Sequence, residues 1–201
     1  MLKQAEIWRA SRAGLLFLLL ALAAGPTAAR PSVPEEEWGF DEVKIVPRTG
    51  AFLPLDVMLE DETGQRKALG SYFDRPVVLN FVFFRCAGIC PALLGGMVDV
   101  FNRIPGRLGR DYRVVTVSFD PRDTPDQAGT TRETYGRQLK TPVPDGAWHF
   151  LTGEPGEVKK LARAAGYYYQ YQKTTGRFSH PSPWRPESRP KPAYLLVGDR
   201  R

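Results

Sequence analysis

The stretch PVVLNFVFF at 76–84 leaves this chain few ways to fold. Asn80 is its only polar residue, and the rest are aliphatic, aromatic or, at the first position, proline. A strand with one wet face alternates polar and apolar side chains. This run does not alternate, so it must be covered on both faces, in the interior of a mixed or parallel sheet. YRVVTVSF at 112–119 reads the same way. Between the two lies PALLGGMVDVFNRI (91–104), in which Leu94, Val98 and Phe101 fall on one helical stripe. Two inner strands joined by a helix form a βαβ unit, whose crossover is expected to be right-handed. The fold class is therefore α/β, a central mixed sheet flanked by helices.

The remaining elements fit that frame. LPLDVMLEDETGQRKAL (53–69) alternates on both sides of ETG and predicts an N-terminal β-hairpin turning near Gly64. TPDQ at 124–127 puts Thr at an N-cap, Pro at the first helical position and Gln at the third. This capping box opens a helix running to about Leu139. A third helix is expected over 155–165, stopped by Gly166. YYYQYQ (167–172) is strand-like, and TTG (174–176) offers a turn. Five prolines in 181–192 exclude regular structure there, and AYLLVG (193–198) predicts a short terminal strand. This order of elements, with a cysteine pair at the end of a buried strand, resembles the thioredoxin-like fold.

The formal net charge of +6 resides mostly at the two ends. Lys3, Arg9 and Arg12 outweigh Glu6 at one, and Arg185, Arg189, Lys191, Arg200 and Arg201 outweigh Glu187 and Asp199 at the other. The body between is nearly neutral, which argues against a nucleic-acid partner. GLLFLLLALAAG (14–25) follows the basic start. It is short for a membrane span and has the length of a signal-peptide core, so residues 1–29 read as a signal peptide or an uncleaved membrane anchor. No cysteine lies near this boundary, which excludes a lipoprotein anchor. The chain reads as exported, to a periplasm, where unprotected thiols tend to oxidise. Residues 30–50, acidic and proline-bearing, read as a linker to a domain over 51–180, and 181–201 as an atypical proline-rich tail.

The two cysteines, Cys86 and Cys90, stand in FRCAGICP directly after the buried strand. Pro91 suits the start of a helix, which makes Cys90 an expected N-cap with Cys86 on the loop before it. Unpaired N–H groups at a helix N-terminus lower a thiol pKa and make the thiolate a nucleophile or a ligand. Three uses compete: a redox pair, two legs of a metal site, or a structural disulfide. Redox motifs typically place two residues between the cysteines, not three. A zinc site wants four protein ligands, and the chain has only two Cys and two His. Cu(I) accepts two thiolates and one imidazole. Of the histidines, His149 in AWHFLTG reads as packed between aromatics near a strand end. His180 in GRFSHP follows a hairpin that a thioredoxin-like topology returns toward the cysteines.

FVFFRCAGICP, VSFDPRDTPDQ and WHFLTGEPGEVKKLARAAGYYYQYQ with the following FSH together resemble the SCO/SenC family of copper proteins. The upstream LPLDVMLEDETGQRKALGSYFDRPVVLNF is similar to that family's first hairpin and first core strand, so the likeness runs from about 52 to 180. The resemblance implies a thioredoxin-like fold that binds copper, as Cu(I) or Cu(II), through Cys86, Cys90 and His180. It implies a partner too, the copper-site subunit of cytochrome c oxidase or another copper protein, served by delivering copper, by reducing the target's cysteines, or both. An alternative is a thiol–disulfide reductase that uses Cys86 and Cys90 without stable metal. Asp120 and Asp123 match the family's acidic DPxDTP loop. They serve either as turn and capping residues or as support for the metal ligands. After His180 the chain departs from the family pattern: PSPWRPESRPKP intervenes, and the chain stops soon after AYLLVG. The C-terminal region is then either incomplete, with an uncovered sheet edge, or completed by a displaced AYLLVG strand. Pro192, before that strand, matches a thioredoxin position where the proline is cis.

Overall fold

The computed structural model describes residues 38–181 and 196–198. In chain order its strands are β1 (Lys44–Ile45), β2 (Met58–Glu60), β3 (Arg66–Ala68), β4 (Val77–Val82), β5 (Arg113–Ser118), β6 (Trp148–Gly153), β7 (Tyr167–Tyr168), β8 (Gln170–Gln172), β9 (Arg177–Ser179) and β10 (Leu196–Gly198). The helices are α1 (Ile89–Phe101), α2 (Pro125–Gly136) and α3 (Pro155–Ala164). Six strands form the central sheet in the order β10-β4-β5-β6-β2-β3. β4, β5 and β6 run parallel; β2, β3 and β10 are antiparallel to their neighbours. The sheet is mixed, with helices on both faces, as the two apolar runs require.

Every residue of β4 is buried. Val77, Leu79 and Phe81 pack into one cluster with Val158, Leu161 and Ala162 of α3. Val78 and Val82 point the other way, to Cys90, Leu94, Met97 and Val98 of α1. Each such side chain contributes about 1.5–3 kcal/mol on leaving water. Asn80, the polar exception, donates from Nδ2 to Thr116 Oγ1 at 3.1 Å, and Trp148 Nε1 donates to the same oxygen at 2.9 Å. One hydroxyl thus satisfies donors from both neighbouring strands, which lets polar groups sit mid-sheet.

β4–α1–β5 is the expected βαβ unit. The second parallel connection leads through α2 to β6, a strand the sequence reading did not assign between the second and third helices. The capping box at α2 is present: Gln127 N donates to Thr124 Oγ1 and Thr124 N donates to Gln127 Oε1. α2 ends at Gly136, short of Leu139. α3 stops where expected, and Gly166 at φ +76 is the reason. A Cβ there would lie 1.9 Å from Val46 O, so only glycine admits the strand that packs against it.

That strand lies in the segment read as a linker. From Trp38 onward this segment is docked: β1 pairs with β7, and Trp38, Phe40 and Ile45 pack against the α3-side core. The apolar side chains of Trp38, Phe40 and Ile45, which the acidic and proline-bearing character of the segment masked, account for the difference. YYYQYQ is likewise two strands, β7 pairing with β1 and β8 pairing with β9. The terminal strand is present as β10, with Leu196 opposite Leu79 and Gly198 opposite Val77. It pairs with Val77–Leu79 and so covers the first half of the outer edge of β4. The signal or anchor segment 1–29, most of the proline-rich tail and Pro192 lie outside the described residues. Among the described residues no helix is long and apolar enough to cross a membrane.

The predicted hairpin turns at Gly64, φ +80. Asp61 organises it, accepting from Thr63 N and Oγ1, Gln65 N and Lys67 Nζ at 2.6–3.0 Å. Burial pushes this carboxyl up, but the bonds from Thr63, Lys67 and Gln65 outweigh it and hold the pKa down to about 2. A depressed carboxylate stabilises the fold above its unfolded pKa of about 4, and the gain is lost as pH falls toward 2. Asp61→Asn should lower stability at pH 7 by about 1–2 kcal/mol and flatten its decline between about pH 4 and pH 2. Urea titrations at several pH values check both; an unchanged pH slope would remove Asp61 from the turn's energetics.

Candidate metal centre

β4 runs on through Phe83 and Phe84 into the loop that carries Cys86, and α1 begins three residues later. The helix cap is Gly88, not Cys90 as expected. The reason is local: Gly88 N donates to Cys86 Sγ at 3.4 Å and closes the loop one residue before Ile89. Cys90 therefore lies inside the first turn. Pro91 follows it, still within the turn whose N–H groups have no helical partner. Cys86 is half-buried and Cys90 buried, and the two thiols are not joined. The expected lowering of the Cys90 pKa is also corrected. Burial pushes this thiol up, against a bond to the Phe83 backbone, and the neighbouring Cys86 adds to the rise. Its side chain points into the α1-side core, packed with Leu94 and Phe150, so the apolar surroundings outweigh the helix end.

His180 arrives from the other side. β8 and β9 form a two-stranded sheet of their own, and His180 is the residue after β9. Phe178 anchors this hairpin, its ring centroid 5.5 Å from that of Phe119 and 5.9 Å from that of Tyr169. The imidazole stands between Phe83 and Phe119, at 5.8 and 5.6 Å. Its Nδ1 lies 3.2 Å from Pro181 O, which assigns the proton to Nδ1 and leaves the Nε2 lone pair free. Nε2 faces Cys90 Sγ at 3.9 Å. Burial holds the His180 pKa below its ordinary value, so the ring is neutral at pH 7 and available as a donor.

The two sulfurs and the imidazole nitrogen all lie within 4.8 Å of one another. Donors about 2.3 Å from one ion stand about 4 Å apart, so small side-chain shifts suffice to bring all three onto one ion. Among the described residues no other three His, Cys, Asp or Glu side chains converge in this way. Cys86 and His180, but not the buried Cys90, line a cleft of about 530 Å³ together with Ile89, Phe178 and Arg177. His149 is elsewhere, as expected: its ring packs edge-on against Tyr72 at 4.7 Å, with Nδ1 3.4 Å from Glu62 Oε1.

Asp120 and Asp123 are buried and do not belong to the donor group. Asp123 Oδ2 accepts from Phe84 N and Ser118 Oγ, both at 2.6 Å, and Oδ1 accepts from Arg85 Nε at 3.0 Å. Asp120 accepts from Arg85 Nη2 at 3.1 Å and from Arg122 Nε and Nη2 at 2.7 and 2.8 Å. The two residues before Cys86 are thus clamped to the loop after β5. Burial raises the Asp123 pKa, and the bonds from Ser118, Phe84 and Arg85 oppose it. Arg85 and Arg122 were not singled out from the sequence. An arginine next to a cysteine or between two aspartates carries no signal until the fold sets the pairing.

The SCO1/SenC family pattern matches residues 56–183, a span that holds both cysteines and His180. The chain belongs to that family. It is 28% identical over 125 residues to a candidate copper-binding protein of Stutzerimonas stutzeri, covering 62% of this chain and 56% of that one. A SCO1 homologue of Bacillus subtilis is 26% identical over 152 residues, covering 75% of this chain and 66% of that one. The chain thus spans less than two thirds of each of these relatives. Among solved structures, a candidate electron transfer protein of Aquifex aeolicus superposes with a TM-score of 0.57 at 24% identity, covering 67% of this chain and 75% of that one. That likeness concerns the fold, which is thioredoxin-like, as its sequence order suggested.

Removing the Asp123 carboxylate would leave Phe84 N, Ser118 Oγ and Arg85 without their acceptor. Asp123→Ala should cost about 2–4 kcal/mol of stability, and Asp123→Asn less. Chemical denaturation measures both; a loss below about 0.5 kcal/mol would mean that the clamp does not stabilise the cysteine loop.

Proposed function

We propose that this chain is an exported copper-binding protein of the Sco type, with Cys86, Cys90 and His180 as the copper ligands. The convergence of two sulfurs and a neutral imidazole within 4.8 Å carries this reading. Two soft thiolates and one nitrogen suit Cu(I), and three donors among the described residues fall short of a closed four-ligand zinc site. The copper-binding description of the Stutzerimonas stutzeri relative points the same way. Copper is here a cargo. The protein's part is to exclude water with Phe83, Phe119 and Phe178, to orient Nε2 through the Nδ1–H bond to Pro181, and to leave Cys86 at the surface for transfer.

The role proposed for that cargo is assembly of a copper site in a partner, the copper-site subunit of cytochrome c oxidase. This would take place in the periplasm, with residues 1–29 serving for export or as an anchor. Delivery and thiol reduction can use the same two cysteines, because a Cys86 thiolate that releases copper can attack a partner disulfide.

The reduced protein should bind one copper per chain, and the Cu(II) form should show thiolate charge-transfer absorption. Cys86→Ser with Cys90→Ser should abolish binding. His180→Ala should weaken it by about 10–100-fold, and His149→Ala should leave it within about twofold. Copper titration against a competing chelator reads all three. Stoichiometric binding by the double serine variant would sink the proposal. Fast exchange with a target disulfide and no copper uptake would establish the reductase reading instead.

A further inference from the structure

The two halves of the donor group belong to different units of the fold. The cysteines sit at the end of β4 and the start of α1, within the central sheet's framework, whereas His180 hangs from the β8–β9 hairpin, which shares no ladder with that sheet. Something other than strand pairing must fix the distance between them. Phe178 supplies an apolar anchor through edge-on and tilted ring contacts, but such contacts are not directional. A directional link is needed as well, and Arg122 has the geometry for one.

We infer that Arg122 is the positioning residue that holds the His180 hairpin in register with the cysteine loop. Its Nε and Nη2 grip both oxygens of buried Asp120, the fork-on-fork pairing that fixes a guanidinium plane. Its own backbone N–H, at 2.9 Å from Asp120 Oδ1, tightens the same turn. The remaining nitrogen, Nη1, donates to Gly176 O in the β8–β9 turn at 3.3 Å. The guanidinium carbon lies over three rings, 5.7 Å from the centroid of Trp38, 5.6 Å from that of Tyr171 and 5.8 Å from that of Phe178. Tyr171 and Phe178 are cross-strand partners in the hairpin itself. Asp120 Oδ2, which accepts from Arg122 Nη2, also accepts from Nη2 of Arg85, the residue before Cys86. A continuous chain therefore runs from the cysteine loop through Arg85, Asp120 and Arg122 to the turn that precedes His180. Lysine cannot replace this link, because an ammonium lacks the planar fork and the stacking face.

The role assigned to Arg122 rests on the copper reading only for its consequence, since the link exists without metal. The test has two arms for that reason. In the metal-free protein, ¹⁵N relaxation should show increased motion at residues 174–180 in Arg122→Gln, and the His180 ring protons should lose part of the ring-current shift from Phe83 and Phe119. Strands β4 and β5 should be unaffected. Arg122→Lys keeps a cation beside Asp120 and should loosen the hairpin in the same way; it also serves if the glutamine variant does not fold. In the copper arm, Arg122→Lys should weaken Cu(I) affinity by about tenfold, but change it less than twofold in a His180→Ala background, because the residue acts through that imidazole. Unaltered hairpin relaxation in Arg122→Lys, or an equal affinity loss in both backgrounds, would overturn the inference. If the parent protein takes up no copper, the copper reading fails and the relaxation arm alone decides the role of Arg122.

Discussion

Burial of β4 on both faces is the constraint from which the rest of the structure follows. A six-residue strand with no wet side must be sandwiched, and the sandwich requires α1 on one face and α3 on the other. It requires flanking strands too, since each N–H and C=O of a buried strand needs a partner. β5 fills one side along its whole length and β10 fills part of the other. The cysteine loop is the direct continuation of this most buried strand. Its position is inherited from the core, and Asp123 locks it by taking the Phe84 N–H that the ladder no longer satisfies.

How much of this was legible in the sequence varied with how local the cause was. The unbroken apolar run, the Thr124–Gln127 capping box, the Gly64 turn and the Gly166 stop are properties of a few neighbouring residues, and each predicted its element. β6 was harder because WHFLTG mixes a histidine and a threonine into the strand, and because Trp148 Nε1 finds its partner, Thr116, on the neighbouring strand. The docking of residues 38–46 depends on Gly166 and Tyr168, more than a hundred positions away. No window of sequence contains that information.

The site divides in the same way. The cysteine spacing and the distant histidine were visible as a family pattern, and the structure brings those three side chains together. What the sequence misplaced was the electrostatics of Cys90. The helix N-terminus is real, but α1 begins one residue before Cys90, and the side chain turns inward, where desolvation dominates the dipole. The aspartates, whose role the sequence left open between turn chemistry and support of the metal ligands, bind the cysteine loop and the turn after β5 to each other. Asp120 and Asp123 shape the turn after β5, and their outward oxygens meet arginines that reach the two arms of the site.

A donor set assembled from two units has a physical consequence. Cys90 is held by the α1-side core, and the loop of Cys86 is tied through Phe84 and Arg85 to Asp123 and Asp120. The imidazole is held by the β8–β9 pairing, by Phe178, by the Phe83 and Phe119 rings on either side of it and by the Arg122 bridge to the turn before it. For a protein whose proposed task is to give copper up, the third proposed ligand is the one carried outside the central sheet, on a hairpin whose register with the cysteine loop is set by side chains and not by strand pairing.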